Sequence, residues 1–188
     1  MATRTPSSKR IVDDISHVVF TSEEIRGVVS RLGAEISRDY TGLDPVLIGV
    51  LSGVVLLMAD LLRQITIPVT LDFMAISSYA DSAGTGTVRI TKDLDHAITG
   101  RHVLFVEDVI DTGLTLDYLL RTLRTRQPAS IKVCVLFDRP YRRLIDIPLD
   151  YRGLELPDTF VVGYGLDAGG YYRNLPFIGE LHPKLQPR

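Results

Sequence analysis

What most constrains this chain is a short, wholly apolar run that recurs with a helix-forming segment after it. Val46–Leu51 (VLIGVL) carries no polar side chain, and residues 102–106 and 131–137 are nearly as apolar. Such runs fit strands buried on both faces, as in parallel sheets. The intervening segments keep helical spacing instead. Thr21-Ser22-Glu23-Glu24 reads as a capping-box start. Ile25, Val28, Val29, Leu32 and Ile36 follow on one face, which predicts a helix to about residue 38. Leu116, Leu119, Leu120 and Leu123 recur at i, i+3, i+4 and i+7, which predicts a helix over residues 114–126 that Pro128 ends. This alternation predicts an α/β fold: an open, mostly parallel sheet flanked by helices, with right-handed crossovers.

The remaining segments fill in that plan. Ser52-Gly53 turns into an apolar helix ending near Arg63, and residues 69–79 read as a further strand. Residues 81–87 (DSAGTGT) are small and polar and read as a mobile loop, with a returning strand over 88–91 and a helical turn over 93–98. Beyond Pro140, short strands, prolines and aromatic residues predict a small C-terminal hood. The expected organisation is one domain over residues 1–188, with a core over about 11–140 and a hood over about 141–188 that has room for part of the N-terminus.

Composition narrows the function. The chain is 45% hydrophobic and 23% charged with a formal net charge of −2, and its basic residues form no long run. That balance points away from nucleic acid and membrane surfaces. The first ten residues, MATRTPSSKR, hold no apolar signal core, and the longest apolar run, 53–60, falls far short of the roughly 20 residues that span a bilayer. The lone cysteine, Cys134, lies in an apolar run and reads as a buried strand residue, which suits a reducing cytoplasm. His17, His96, His102 and His182 show no metal-ligand spacing.

Chemistry concentrates where the run 102–106 meets Glu107 and Asp108. In open α/β sheets, ligands bind beyond the carboxyl ends of the strands, where this pair is expected. Two adjacent carboxylates can accept hydrogen bonds from a vicinal diol or hold Mg²⁺. Asp111-Thr112-Gly113-Leu114-Thr115 then opens a helix. Backbone N–H groups, two hydroxyls and a glycine there make a phosphate cradle. A diol or metal site beside a phosphate site suits a ribose 5-phosphate. The plainer alternative is that Asp111 or Thr112 only caps the helix and the acidic pair is solvated. Neither G-x-x-x-x-G-K-[ST] nor a strand-linked G-x-G-x-x-G is present, which argues against a Walker loop and a dinucleotide dehydrogenase.

Val106-Glu107-Asp108-Val109-Ile110-Asp111-Thr112-Gly113-Leu114-Thr115 resembles the phosphoribosyl pyrophosphate (PRPP) signature of type I phosphoribosyltransferases, in the form found in hypoxanthine-guanine phosphoribosyltransferases. The resemblance covers about residues 11–182. Ile48-Gly49-Val50-Leu51-Ser52-Gly53 is similar to the family's pyrophosphate loop, and Ser77-Ser78-Tyr79 to the start of its lid. The run 156–167 (LPDTFVVGYGLD) is similar to its base-binding hood, and Tyr172-Arg173-Asn174-Leu175 to the segment after it.

The resemblance implies transfer of ribose 5-phosphate from PRPP to N9 of hypoxanthine or guanine, giving IMP or GMP and pyrophosphate, with Mg²⁺. It implies that Glu107 and Asp108 hold the ribose hydroxyls and metal, and that Asp111, Thr112, Gly113, Leu114 and Thr115 bind the 5-phosphate. Asp111 becomes the candidate general acid/base at the purine N7. Leu51, Ser52, Gly53 and Arg173 handle pyrophosphate, with a cis non-proline peptide expected in the loop. Phe160 stacks on the purine, the Val161 backbone reads its edge, Arg139 donates to its 6-oxo group, and Asp167 lies near a second Mg²⁺ and the 2-amino group. Ser78 and Tyr79 belong to the lid, read as residues 80–87.

Two positions depart from the family pattern. Ser52 stands where Lys or Arg is usual, and Arg139 where Lys is usual. The second keeps a xanthine-preferring enzyme open as an alternative. A nucleic-acid-binding PRPP sensor of the same fold is another, opposed by the lack of an added winged-helix region or basic face and by the presence of Asp111. The family also implies a cytoplasmic homodimer or homotetramer.

Overall fold

Thr21 starts the first helix as its sequence requires. Its Oγ1 accepts the Glu24 N–H at 3.2 Å, and the Glu24 carboxylate accepts the Thr21 N–H at 2.8 Å. This closed box satisfies two N–H groups that a helix start otherwise leaves unpaired. The computed structural model describes residues 10–80 and 86–186, with the backbone alone at 78–80 and 86–88. In chain order the elements are β1 (Ile15–Phe20), α1 (Ser22–Asp39), β2 (Val46–Leu51), α2 (Val55–Gln64), β3 (Thr70–Ala80), β4 (Gly86–Lys92), β5 (His102–Ile110), α3 (Leu114–Arg124), β6 (Ser130–Asp138), β7 (Tyr151–Glu155), β8 (Val161–Val162) and β9 (Ile178–Leu181).

Six strands form the main sheet in the order β4-β3-β2-β5-β6-β7, all parallel except β4. Alternate residues of the apolar strands serve opposite faces. Leu47, Leu104, Val106, Cys134 and Leu136 pack with α1 and α2. Val46, Ile48, Val103, Phe105, Val133 and Val135 pack with the leucine stripe of α3. The result is a three-layer sandwich whose central strands are apolar on both faces, and Cys134 is a buried free thiol within it. A small second sheet, β1-β9-β8, packs its own cluster around Val162, Tyr172, Leu175 and Leu181.

The chain order reverses between β2 and β5, because β2 leads outward to β3 and β5 leads the other way to β6. The two strands pair only as far as Gly49↔Val106. Beyond that, β2 continues against β3 to Leu51↔Ala75, and β5 continues against β6 to Ile110↔Asp138. The neighbours part and leave a crevice at the switch point, where ligands bind in open α/β sheets.

Several expectations change. The acidic pair does not end its strand: β5 runs on through Glu107 and Asp108 to Ile110, because β6 supplies partners at Glu107↔Val135 and Val109↔Phe137. Residues 93–98 form bends and no helical turn. The buried Asp72 carboxylate captures the Asp95 and His96 N–H groups at 2.9 and 3.2 Å, in place of helical carbonyls. Helix α3 ends at Arg124, and Gln127 adopts a positive φ of 53° just after it. Ala80, Gly86 and Thr87, read as lid, are strand residues paired across the β3–β4 hairpin, and the intervening 81–85 lie outside the described residues. The expected boundary between core and hood is crossed by β7, which joins the main sheet beside β6, while β1 pairs with β9 in the small sheet, where room was left for part of the N-terminus. Among the described residues no helix is long and apolar enough to cross a membrane.

Candidate active site

The crevice between β2 and β5 is a cavity of about 330 Å³. Leu51, Ser52 and Gly53 line one wall, Glu107, Asp108, Asp111, Thr112, Gly113 and Thr115 the other, and Arg173 closes it from the small-sheet side. The Leu51–Ser52 peptide is cis. Gly53 has no space for a side chain: a Cβ there would collide with Asp108 Oδ2 and lie 3.3 Å from Arg173 Nη1. Gly165, at φ +96°, packs just as closely on the Gly53 carbonyl.

Sheet geometry holds the acidic pair. Asp108 Oδ1 accepts the Val109 N–H at 2.9 Å. Burial pushes the Asp108 carboxyl above its ordinary value; that backbone bond and the Arg173 charge pull it back, and Asp167 pushes it up. Burial lifts Glu107 well above the usual carboxylate range, and the Asp108 charge adds to the lift. Two carboxylates, short of compensating charge, therefore share one crevice.

This donor set suits a shared cation. Mg²⁺ characteristically takes one or two carboxylates and completes its shell with substrate oxygens and water. Among the described residues no group of three or more His, Cys, Asp or Glu could hold a metal by itself. Asp167 is engaged elsewhere: its Oδ1 pairs with Arg173 Nη2 at 2.7 Å, and its Oδ2 accepts the Gly170 N–H at 2.6 Å. Arg173 Nη1 also donates to the Gly165 carbonyl. The arginine that faces the crevice is thus held at both ends of its guanidinium.

The loop from Asp111 to Thr115 is shaped by Gly113, which caps α3 at φ 82°. A Cβ there would sit 3.3 Å from Ile147 Cδ1 and 3.4 Å from the Ile145 carbonyl. The Leu144 N–H bonds to the Thr112 carbonyl at 2.9 Å and backs the loop from outside. Thr115 and Leu116 line the cavity, so the helix N-terminus faces it, where the Leu114 N–H donates to the Thr112 hydroxyl at 3.4 Å. Leu114 does not line it and is 52% exposed.

The residues read as purine contacts are divided. Arg139 and Phe160 line a second cavity of about 440 Å³, together with Arg142, Asp158 and Glu180. Arg139 Nη2 donates to the Thr159 carbonyl at 3.2 Å. Its Nε and the Thr159 Oγ1 are buried without a hydrogen-bond partner among the described residues. Val161 is buried in β8 opposite Glu180 and lines neither cavity. Ser78 and Tyr79 pair with Val88 and Thr87 at the end of the β3–β4 hairpin.

Sequence reading missed Arg142. It pairs with Asp158 at 2.6 Å and reaches Asp111 at 3.9 Å, which links the two cavities. Its only signal was a surface-like Tyr-Arg-Arg after Pro140.

The phosphoribosyl transferase domain family matches residues 19–168. A hypoxanthine-guanine phosphoribosyltransferase of Bacillus subtilis (strain 168) is 48% identical over 173 residues, 92% of this chain and 96% of its own length. One from Mycobacterium avium is 48% identical over 179 residues, 92% of this chain and 88% of its own. The crystal structure of a Staphylococcus aureus hypoxanthine phosphoribosyltransferase superposes with a TM-score of 0.90 at 39% identity, covering 97% of this chain and all of that one (100%). Likeness of this extent runs through both walls of the crevice and the small sheet behind it, and on that ground the chain belongs to the phosphoribosyltransferase family of enzymes.

Proposed function

We propose that this enzyme transfers ribose 5-phosphate from PRPP to N9 of hypoxanthine or guanine, releasing pyrophosphate and forming IMP or GMP. The observation that carries the reading is one crevice lined by the Glu107–Asp108 pair, the loop from Asp111 to Thr115, the cis Leu51–Ser52 peptide and Arg173, in a chain 48% identical to a hypoxanthine-guanine phosphoribosyltransferase.

In this reading the N-terminus of α3 and the Thr112 and Thr115 hydroxyls take the 5-phosphate. Glu107 and Asp108 orient the ribose hydroxyls beside it. The same pair would hold Mg²⁺, which when bound would supply positive charge against the departing pyrophosphate. Arg173 and the backbone of residues 51–53 receive that anion, with Ser52 contributing a hydroxyl where the family usually has a cation. Positive charge develops at C1 as the pyrophosphate bond breaks, and the nearby carboxylates favour it. Asp111 moves the proton at the purine N7. Phe160 stacks on the base, Val161 offers its backbone, Asp167 orients Arg173 and faces the 2-amino group, and Arg139 meets the 6-oxo oxygen. Ser78 and Tyr79 at the hairpin end belong to the cover that keeps water out during transfer. The enzyme works in the cytoplasm as a homodimer or homotetramer, independent of nucleic acid and membranes.

Arg139 favours one second reading, a shift toward xanthine, because a planar fork of donors is not equivalent to an ammonium. The test is nucleotide formation from PRPP and Mg²⁺ with hypoxanthine, guanine, xanthine and adenine in parallel. Turnover of hypoxanthine or guanine supports the proposal, and dominance of xanthine moves it to the second reading. PRPP binding without turnover of any base overturns both and favours a PRPP sensor.

A further inference from the structure

The small sheet meets the pyrophosphate loop through one turn, residues 163–166. Gly163, Tyr164 and Gly165 all have positive φ, at 108°, 40° and 96°. Glycine adopts such backbone readily, and tyrosine does so at a cost. A tyrosine in the middle of this run therefore needs a compensating contact. Its ring is buried edge-on against Phe137, with centroids 6.5 Å apart. Its hydroxyl crosses to Asp60 Oδ2 at 2.7 Å. Asp60 lies on α2, the helix that begins two residues after Gly53, and its Oδ1 pairs with Arg63 at 3.1 Å. Burial, and then the Asp60 acceptor, push the phenol far above its ordinary value, so it stays a donor.

The backbone on either side is equally committed. The Tyr164 N–H bonds to the Leu175 carbonyl at 2.8 Å and the Gly165 N–H to the Arg173 carbonyl at 3.0 Å. Arg173 returns a bond from its guanidinium to Gly165, and Gly165 packs on the Gly53 carbonyl. The turn therefore touches both walls that would hold pyrophosphate. Among the described residues, the Tyr164 hydroxyl makes the side-chain hydrogen bond that fastens it to the helix behind Gly53.

We propose that the Tyr164–Asp60 hydrogen bond sets the spacing between Gly53 and Arg173, making Tyr164 a positioning residue for the pyrophosphate side of the site. This deepens the function proposed above and rests on it for its kinetic consequence. The tie itself is geometric and can be read without substrate.

The experiment compares Tyr164→Phe, Asp60→Ala, Asp60→Asn and the double variant Tyr164→Phe/Asp60→Ala. Tyr151→Phe is the control, because it removes a phenol–carboxylate bond of 3.1 Å to Asp39 at the far sheet edge. In Tyr164→Phe and Asp60→Ala, KM for PRPP is expected to rise roughly five- to tenfold, the worth of one such hydrogen bond, while KM for the purine stays within about twofold. Asp60→Asn keeps an acceptor oxygen and recovers most of the loss. The double variant is no worse than either single one, as for two ends of one contact. Amide hydrogen exchange at residues 52–58 speeds up in Tyr164→Phe and Asp60→Ala and is unchanged in Tyr151→Phe. An unchanged exchange rate, an equal rise in both KM values, or the same PRPP effect in Tyr151→Phe overturns the proposal. If the wild-type protein turns over no base, the function proposed above fails, while the exchange data still decide whether the tie exists.

Discussion

Gly53 and Asp108 come from different strand-and-loop units, yet they touch so closely that no side chain fits between them. Asp108 is held there by a bond from the Val109 N–H and by the Arg173 charge. Gly53→Ala should push Asp108 out of place and move the two walls apart. Overpacking of this kind typically costs about 1–3 kcal/mol in stability. A misplaced group near the chemistry costs about a hundredfold in rate. The expected result is a folded protein by circular dichroism whose kcat/KM for PRPP falls by about that factor.

Glu107 and Asp108 make the ligand-free protein sensitive to pH in an unusual direction. Their carboxyls are raised in the folded state, so above the ordinary carboxylate range the folded protein holds protons that the unfolded chain has lost. Stability therefore falls as pH rises through that window, and the penalty vanishes where both states are protonated. Glu107→Gln removes the titration. It should raise Tm near neutral pH by about 2–4 °C, with the gain disappearing near pH 4, about the ordinary carboxylate value. Added PRPP and Mg²⁺ should stabilise the wild type more than the variant, as thermal scans across pH would show.

Asp111 sits half-exposed at the start of the loop that leads into α3, 3.9 Å from Arg142. Asp111→Asn keeps its size and polarity but removes its capacity to carry a proton. Turnover should fall by about 10²–10⁴, the usual worth of a positioned acid or base, with PRPP affinity little changed. Steady-state rates beside calorimetric PRPP titration separate the two. An equal loss of both would assign Asp111 to binding.

Asp138 is fully buried at the end of β6, paired with Arg143 at 2.7 Å and Arg152 at 2.6 Å. Removing one member of such a cluster leaves charge uncompensated and costs about 3–5 kcal/mol. Asp138→Ala should lose that much in urea unfolding. It should also weaken PRPP binding, because the segment that Arg143 anchors supplies the Leu144 N–H behind Thr112.

Arg139 can be tested by replacing it with lysine. Arg139→Lys should keep hypoxanthine turnover within about threefold, since an ammonium also donates to a 6-oxo oxygen. The ratio of hypoxanthine to xanthine turnover is the measurement. A collapse on hypoxanthine would mean that the bond to the Thr159 carbonyl, which only the longer fork makes here, is needed to shape the base pocket.

The strands that carry the site were legible because burial on both faces leaves no ambiguity: VLIGVL is β2 to the residue. The capping box marked the start of α1 in the same way. Where β5 stops was not legible. Glu107 and Asp108 resemble a strand end in composition, and only the β6 ladder, distant in sequence, extends the strand past them. The bend at 93–98 was hidden for a related reason, since its acceptor, Asp72, lies more than 20 residues upstream. Asp111 and Arg173 were recognisable from motifs. Arg142, Tyr164 and Asp60 were not, because their partners are set by how the small sheet folds back, and no local pattern encodes that.

The parting of β2 from β5 divides the labour of the crevice between two halves that can change separately. The loop at residues 51–53 is backed by α2 and one apolar cluster, and the loop at 111–115 by α3 and another, on opposite faces of the sheet. A replacement in one half, such as a change at Ser52, is absorbed against its own packing and leaves the foundation of the other half intact. Each wall of the crevice can thus be altered against its own core while the other keeps its footing.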